Sequence, residues 1–139
     1  ANRPVLARIS AIGLSAEPHP RATGLSDICR GLSEACQEAL ELFKDRPVKV
    51  VLGDLNGEDD RAREWGMVQT RCFPKEQNHS LQKPSCQLGD IGAASGAAAA
   101  CIVAMGFRRN WLDSPALVFC SDDFGPCGAI VLEKEERQV

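Results

Sequence analysis

Residues 88–107 read LGDIGAASGAAAACIVAMGF, and this run limits the possible folds more than any other part of the chain. It is small or apolar on every side, and a helix with no polar face has to be buried all round. Its strongly apolar part, residues 91–107, falls short of the run of about 20 residues that crosses a bilayer. Glycine lowers helix stability, so Gly92 and Gly96 point to a packing reason for their presence. The expected face at close contact with a sheet carries Ala93, Ala97, Ala100 and Ala104. A wholly buried helix needs material on both sides, and the remaining elements decide whether the chain supplies it.

Residues 5–14 alternate loosely and predict a strand, and Pro18, Pro20 and Gly24 mark 15–24 as a loop. Ser26 is a candidate cap for a helix in which Ile28, Leu32, Cys36, Ala39 and Phe43 keep helical spacing, with Glu34, Glu38 and Glu41 on other faces. Residues 48–52, VKVVL, predict a short buried strand, and Asp54-Leu55-Asn56-Gly57 is turn chemistry. A second helix is expected from about Glu58, with Glu58, Asp59 and Asp60 at its positive end and Asp59 paired to Arg63. Residues 73–87 are polar and contain prolines, and predict a long surface loop. After the apolar run, 116–120 (ALVFC) and 128–132 (GAIVL) predict two antiparallel strands around a turn-rich loop, and the tail from Glu133 is charged. The order β, α, β, α, loop, buried α, β, β predicts an α/β layered domain. A sheet of about four strands covers only one side of the apolar helix. Other elements of the chain, a second domain or a second chain must supply the missing layer.

With 139 residues, 44% hydrophobic and 25% charged, the chain suits one globular domain. The net charge is -3 and neither half has a basic block, which argues against a nucleic-acid partner. The start, Ala-Asn-Arg-Pro, has no apolar leader and no Met, and reads as a processed or trimmed piece. The 7 cysteines are odd in number and include no CxxC pair, so they read as reduced thiols of a cytoplasmic protein and not as a zinc site. The acids around Asp54 lack the EF-hand frame, and no GK[ST] follows Gly89, Gly92 and Gly96, so neither metal nor cofactor is expected.

Three segments together carry a family resemblance. Ile91-Gly92-Ala93-Ala94-Ser95-Gly96 is similar to the start of the buried helix in thiolase-fold condensing enzymes of the β-ketoacyl synthase kind. Val118 to Gly125 followed by Gly128 to Leu132 resembles that family's closing hairpin, where a glycine-rich loop joins two strands. Residues 50–64 resemble the stretch in which a histidine-glycine-threonine run precedes an acidic helix ending in glutamate, and Lys83 stands roughly at the family's signature lysine. The resemblance implies a thiolase-like C-terminal half over 1–139: a mixed sheet with a buried central helix and outer helices, the N-terminal half being absent from this chain. It implies that the N-terminal half, or a second protein chain, packs its own central helix alongside, and that an acyl carrier or acyl thioester is a partner.

In the family, two histidines from this half stabilise the enolate during decarboxylative condensation, and a cysteine from the other half is the nucleophile. The first histidine position falls near Gly53 or Asp54 and the second at Asp90, so the pair is replaced. An ionised aspartate only accepts hydrogen bonds and repels an oxyanion. The expectation is therefore a non-catalytic binding or accessory protein, bacterial and oligomeric. The resemblance extends this to a secretion-system association, since stand-alone relatives of this degenerate sort are sometimes found beside bacterial secretion-system genes. The alternative is an acyltransferase, a 3-oxoacyl-carrier synthase whose nucleophilic Cys lies in the missing half. Candidate binding residues are Asp54, Asn56, Asp90, Asp122, Asp123 and Phe124; Asp90 also reads as a helix cap, and Asp122 and Asp123 as hairpin-turn residues. His19 and His79 read as solvated, and Trp65 and Trp111 as anchors at the edge of the core or contacts to the missing half.

Overall fold

The computed structural model describes residues 4–24, 29–75 and 77–135. Five strands, β1 (Ala7–Ala16), β2 (Val50–Gly53), β3 (Ser80–Gln82), β4 (Ala116–Ser121) and β5 (Pro126–Lys134), form one mixed sheet in the order β1-β5-β4-β2-β3. β2 runs parallel to β3 and β4, and β5 is antiparallel to β4 and β1. The helices are α1 (Arg30–Leu40), α2 (Asp59–Cys72), the single turn α3 (Ser85–Leu88) and α4 (Ser95–Arg109).

Alternation along the strands divides the core in two. Val51, Leu117, Phe119, Ala129 and Val131 face α1 and α2, where they meet Leu32, Cys36, Ala39, Trp65 and Val68. Val50, Leu52, Ala116, Val118 and Leu132 face α4, where they meet Ala99, Val103 and Phe107. α1 lies close on β1 because Gly13 has no side chain: a Cβ there would stand 1.9 Å from the Ala35 carbonyl oxygen. The Glu17 carboxylate, just past β1, accepts the Arg30 and Gly31 N–H groups at 3.2 and 2.8 Å and so caps α1 from a distance. The predicted cap Ser26 and the helical Ile28 lie outside the described residues.

Several expectations need correction. The stretch 73–87 is not one loop: β3 pairs with β2 at the sheet edge, and α3 follows with Pro84 as its N-cap residue. Both pieces are too short to show a periodic pattern. The apolar helix starts at Ser95 and not at residue 88, because Gly89 and Gly92 take positive φ (77° and 56°) and break the chain direction. Its buried face is Ala99, Val103, Gly106 and Phe107; of the expected alanines, Ala100 is half-buried against this core and Ala104 is half-buried, while Ala93 and Ala97 are exposed. Val103 and Phe107 fill the space over the sheet together with Ala99, and this turns Ala93 and Ala97 outward. Gly96 does have a packing reason, since a Cβ there would lie 3.2 Å from Cys120 Sγ; Gly92 has open space around it. Arg63 approaches Asp60 at 3.7 Å and not Asp59. Trp65 is buried and stacks on Phe119 at 5.0 Å, while Trp111 is 58% exposed. His79 is not a solvated residue. Its ring packs on Phe73 at 4.3 Å, and its Nδ1 is buried without a hydrogen-bond partner.

The helix expected to be buried all round thus has one buried face within this chain. α4 covers β2, β4 and part of β5, and leaves Ile12 (55% exposed) and Leu14 (73%) on β1 open beside it. Cys101 on the outward side of α4 is exposed as well. Among the described residues, no helix is long and apolar enough to cross a membrane.

Candidate functional site

The parallel strands β2 and β4 end side by side, with Gly53 opposite Phe119, and a cleft of about 660 Å³ opens beyond their carboxyl ends. Ligands of α/β sheets gather at this edge. Asp54, Asn56, Asp90, Asp122, Asp123 and Phe124 all line the cleft, with Arg61, Ser95, Gly96, Cys120 and Ser121 between them. Leu14, Ala97 and Gly128 line it too, so the cleft runs into the open apolar face beside α4. Lys83 is exposed and outside this lining, as is His19.

One wall is a network of charges. Asp54 Oδ2 accepts the Ser121 N–H at 2.8 Å and pairs with Arg61 Nη1 at 2.7 Å. Arg61 also meets Glu58 at 3.0 Å through Nε and Asp123 at 3.1 Å through Nη2. From the loop after β1, Arg21 places Nη1 2.6 Å from Glu64 Oε2, which also accepts the Ser121 hydroxyl at 2.9 Å. Burial pushes the Asp54 carboxyl above its ordinary range, against the opposing pull of Ser121 N–H and Arg61. Burial does the same to Glu64, with Arg21 and Ser121 opposing. Burial disfavours the Arg21 charge, yet Glu64 and Asp123 outweigh it and the guanidinium pKa rises. Both buried acids therefore rest on their arginines. Sequence reasoning missed Arg21, Arg61 and Ser121, because they lie far apart in the chain and match no motif.

The opposite wall is exposed. Asp90 Oδ2 accepts from Asn56 Nδ2 at 3.0 Å and Oδ1 accepts the Gly92 N–H at 2.9 Å. Those bonds, Asn56 first, hold the Asp90 carboxyl below its ordinary range, so it is ionised at neutral pH. Asp90 does not cap α4: it closes a turn onto the short 3-10 segment Gly92–Ala94, and Ala94 is the residue before α4. Near the other expected histidine position, a Cβ on Gly53 would stand 2.2 Å from Phe119 Cζ, so no side chain fits there, and Asp54 is taken up by Ser121 N–H and Arg61. Cys120 has its thiol pushed up by burial and by Asp54, which leaves it a poor nucleophile.

The sequence matches no protein-family model, and no curated protein resembles it at a significant level. Solved structures do match. An oxazolomycin ketosynthase domain of Streptomyces albus superposes with a TM-score of 0.80 at 13% identity, over 96% of this chain and 31% of its own. A type II ketosynthase bound to a hexaketide, in complex with its acyl-carrier protein, gives 0.66 at 14% identity, over 94% of this chain and 34% of its own. The 3-oxoacyl-[acyl-carrier-protein] synthase III of Aquifex aeolicus gives 0.59 at 9% identity, over 95% of this chain and 55% of its own. The chain thus spans about a third of the length of the first two. At such identities the likeness speaks for architecture: a mixed sheet between α1 and α2 on one face and α4 on the other. The fold of this chain is the thiolase-like fold of the ketosynthases.

Proposed function

We propose that the chain works as the C-terminal half of a ketosynthase-like protein, and that its cleft holds an acyl thioester or its carrier without condensing it. The observation that carries this reading is Asp90. It stands on the cleft wall at the start of the apolar segment, ionised and fixed by Asn56 and Gly92. Decarboxylative condensation develops negative charge on the thioester oxygen and needs donors aimed at it. An ionised carboxylate offers none. Gly53 has no room for an imidazole beside Phe119. Arg61, the cation in the cleft, is turned onto Asp54, Glu58 and Asp123.

The N-terminal half, from the same polypeptide or a second one, is the partner this reading requires. Its central helix would lie beside α4 over Ile12 and Leu14, and would close the side of the cleft lined by Leu14 and Ala97. An open apolar patch that adjoins a cleft marks an interaction surface. An accessory protein of the bacterial cytoplasm, linked to a secretion system, is the biological setting of the proposal. A partner carrier suits it, since one structural neighbour is a ketosynthase in complex with an acyl-carrier protein.

The test is decarboxylation. Malonyl thioester mixed with this chain should release no carbon dioxide above background, while an acyl carrier binds. Robust release, abolished by Asp90→Ala, would overturn the binding reading and favour a 3-oxoacyl-carrier synthase whose Cys nucleophile comes from the other half.

A further inference from the structure

We infer that Arg21 and Arg61 form a subsite for a small carboxylate at the rim of the cleft, and that Asp123 fills it as an internal ligand. This does not depend on the chain being a ketosynthase-like half. Both guanidinium groups are buried, with side chains 10% and 13% exposed. Each spends one arm on a buried acid: Arg21 Nη1 on Glu64 and Arg61 Nη1 on Asp54. Two cations and two buried anions balance, and the exposed Glu58 adds a negative charge on Arg61 Nε. Arg21 Nη2 donates to the Ser121 carbonyl and hydroxyl at 3.3 and 3.2 Å, and Arg61 Nε to Glu58 at 3.0 Å; the N–H groups that remain, Nε of Arg21 and Nη2 of Arg61, both donate to one oxygen, Asp123 Oδ1, at 3.1 Å. Planar guanidinium groups match the geometry of carboxylates and phosphates, and the surrounding charge decides between the two.

Asp123 differs from the acids behind it. Its side chain is 54% exposed, against 8% for Asp54 and 5% for Glu64. Its backbone is pinned without help from its carboxylate. Asp122 N–H donates to the Pro126 carbonyl at 2.8 Å, Gly125 N–H to the Asp122 carbonyl at 3.2 Å, and the Asp123 carbonyl accepts Ala22 N–H at 2.9 Å. Phe124 N–H donates to Asp122 Oδ1 at 2.8 Å. The Asp123 carboxylate can therefore swing into water while the turn stays formed, and it leaves Arg21 Nε and Arg61 Nη2 aimed at one vacated point.

Position also favours this. Asp123 and Phe124 form the ridge between the cleft and a second hollow of about 590 Å³ that Arg21 lines. An incoming group meets the arginines from solvent. That hollow also carries Glu58, Asp59 and Asp60 against one further cation, Arg63, and this excess of negative charge disfavours phosphate and other polyanions and leaves a singly charged carboxylate as the fitting ligand.

The test titrates the 139-residue chain with sodium acetate against sodium chloride at constant ionic strength, following the amide resonances of residues 121–125. In the wild-type chain acetate should shift the Asp123 side-chain carboxyl carbon as that group is displaced. Asp123→Ala removes an intramolecular competitor and should bind acetate at least about tenfold tighter. Adding Arg61→Lys, which keeps the charge but loses the fork, should remove most of that gain. If Asp123→Ala does not fold by far-ultraviolet circular dichroism, Asp123→Asn decides by the same comparison. A folded variant that binds acetate no tighter than wild type would overturn the inference, as would chloride or inorganic phosphate moving the same resonances as far as acetate.

Discussion

Two alanines two residues apart on α4 should respond in opposite ways to the same substitution. Ala99 is 2% exposed and packs among Val50, Leu52, Val103 and Val118, while Ala97 points outward. Leucine at 99 forces three more carbons into a filled space over the sheet, and overpacking of that kind costs roughly 1–3 kcal/mol. Leucine at 97 displaces nothing in the chain alone and should change stability by less than about 0.5 kcal/mol. For a domain of this size 1 kcal/mol moves Tm by about 4 °C. Ala99→Leu should therefore lower Tm by roughly 4–12 °C, and Ala97→Leu by about 2 °C or less. Thermal melts followed by circular dichroism, checked against urea midpoints at equal m-value, measure both. Equal losses would refute the assignment of the buried face, and a larger loss at 97 would mean that the alanine face is the one on the sheet. With the N-terminal half bound, as proposed, Ala97→Leu becomes the harmful change, because it stands where the second central helix would lie.

Gly53→His should destabilise the chain by about 3 kcal/mol or more, since the new Cβ meets the Phe119 ring at 2.2 Å, and chemical denaturation reads the loss directly. Asp90→His, on an exposed wall, should fold normally. Glu64 has a folded pKa raised by burial, so below its ordinary value near 4.5 the folded and unfolded states hold equal protons, and above it the folded state holds more. Stability from this group therefore falls as pH rises from about 4.5 through the raised folded value, and the advantage of wild type over Glu64→Gln should shrink across that window. Urea midpoints at a series of pH values that show the advantage growing would contradict the sign. Burial pushes the Cys127 thiol to about 12 and Cys72 to about 11, so neither should react with a disulfide reagent at pH 8 in the native chain. The exposed Cys86 and Cys101 should react at once, and Cys101 should become protected when α4 is covered.

What the sequence disclosed follows from the range over which each element's physics acts. Strands such as 50–53 and 116–121 are buried on both faces, so their apolar runs stand out without any partner in view. β3 has three residues, owes its existence to the edge of β2, and carries no local signal. The extent of the apolar helix was blurred for a related reason. Residues 88–94 share its composition, but the φ values at Gly89 and Gly92, which composition does not reveal, set them apart from α4. Its buried face is not legible from small residues alone, because Val103 and Phe107 set the contact and only Ala99 and Ala100 among its alanines join it.

The candidate site divides along the same line. Asp54, Asn56, Asp90, Asp122, Asp123 and Phe124 stood out because each sits where a strand ends or a helical segment begins, and such turns announce themselves by residue type. Those six say nothing about charge balance. That balance comes from Arg21, which stands 43 residues from Glu64 and 102 from Asp123, and whose position depends on the loop that Glu17 and Gly125 hold in place. Arginines in polar segments are read as solvent-facing by default. Here, two of them are drawn inside because the ends of β2 and β4 bring Asp54 and Ser121 together, and two buried carboxylates are tolerated there only with cations between them. The acids of the cleft could be named from the sequence alone. The cations that decide what those acids can still bind became visible only once the parallel strands were paired.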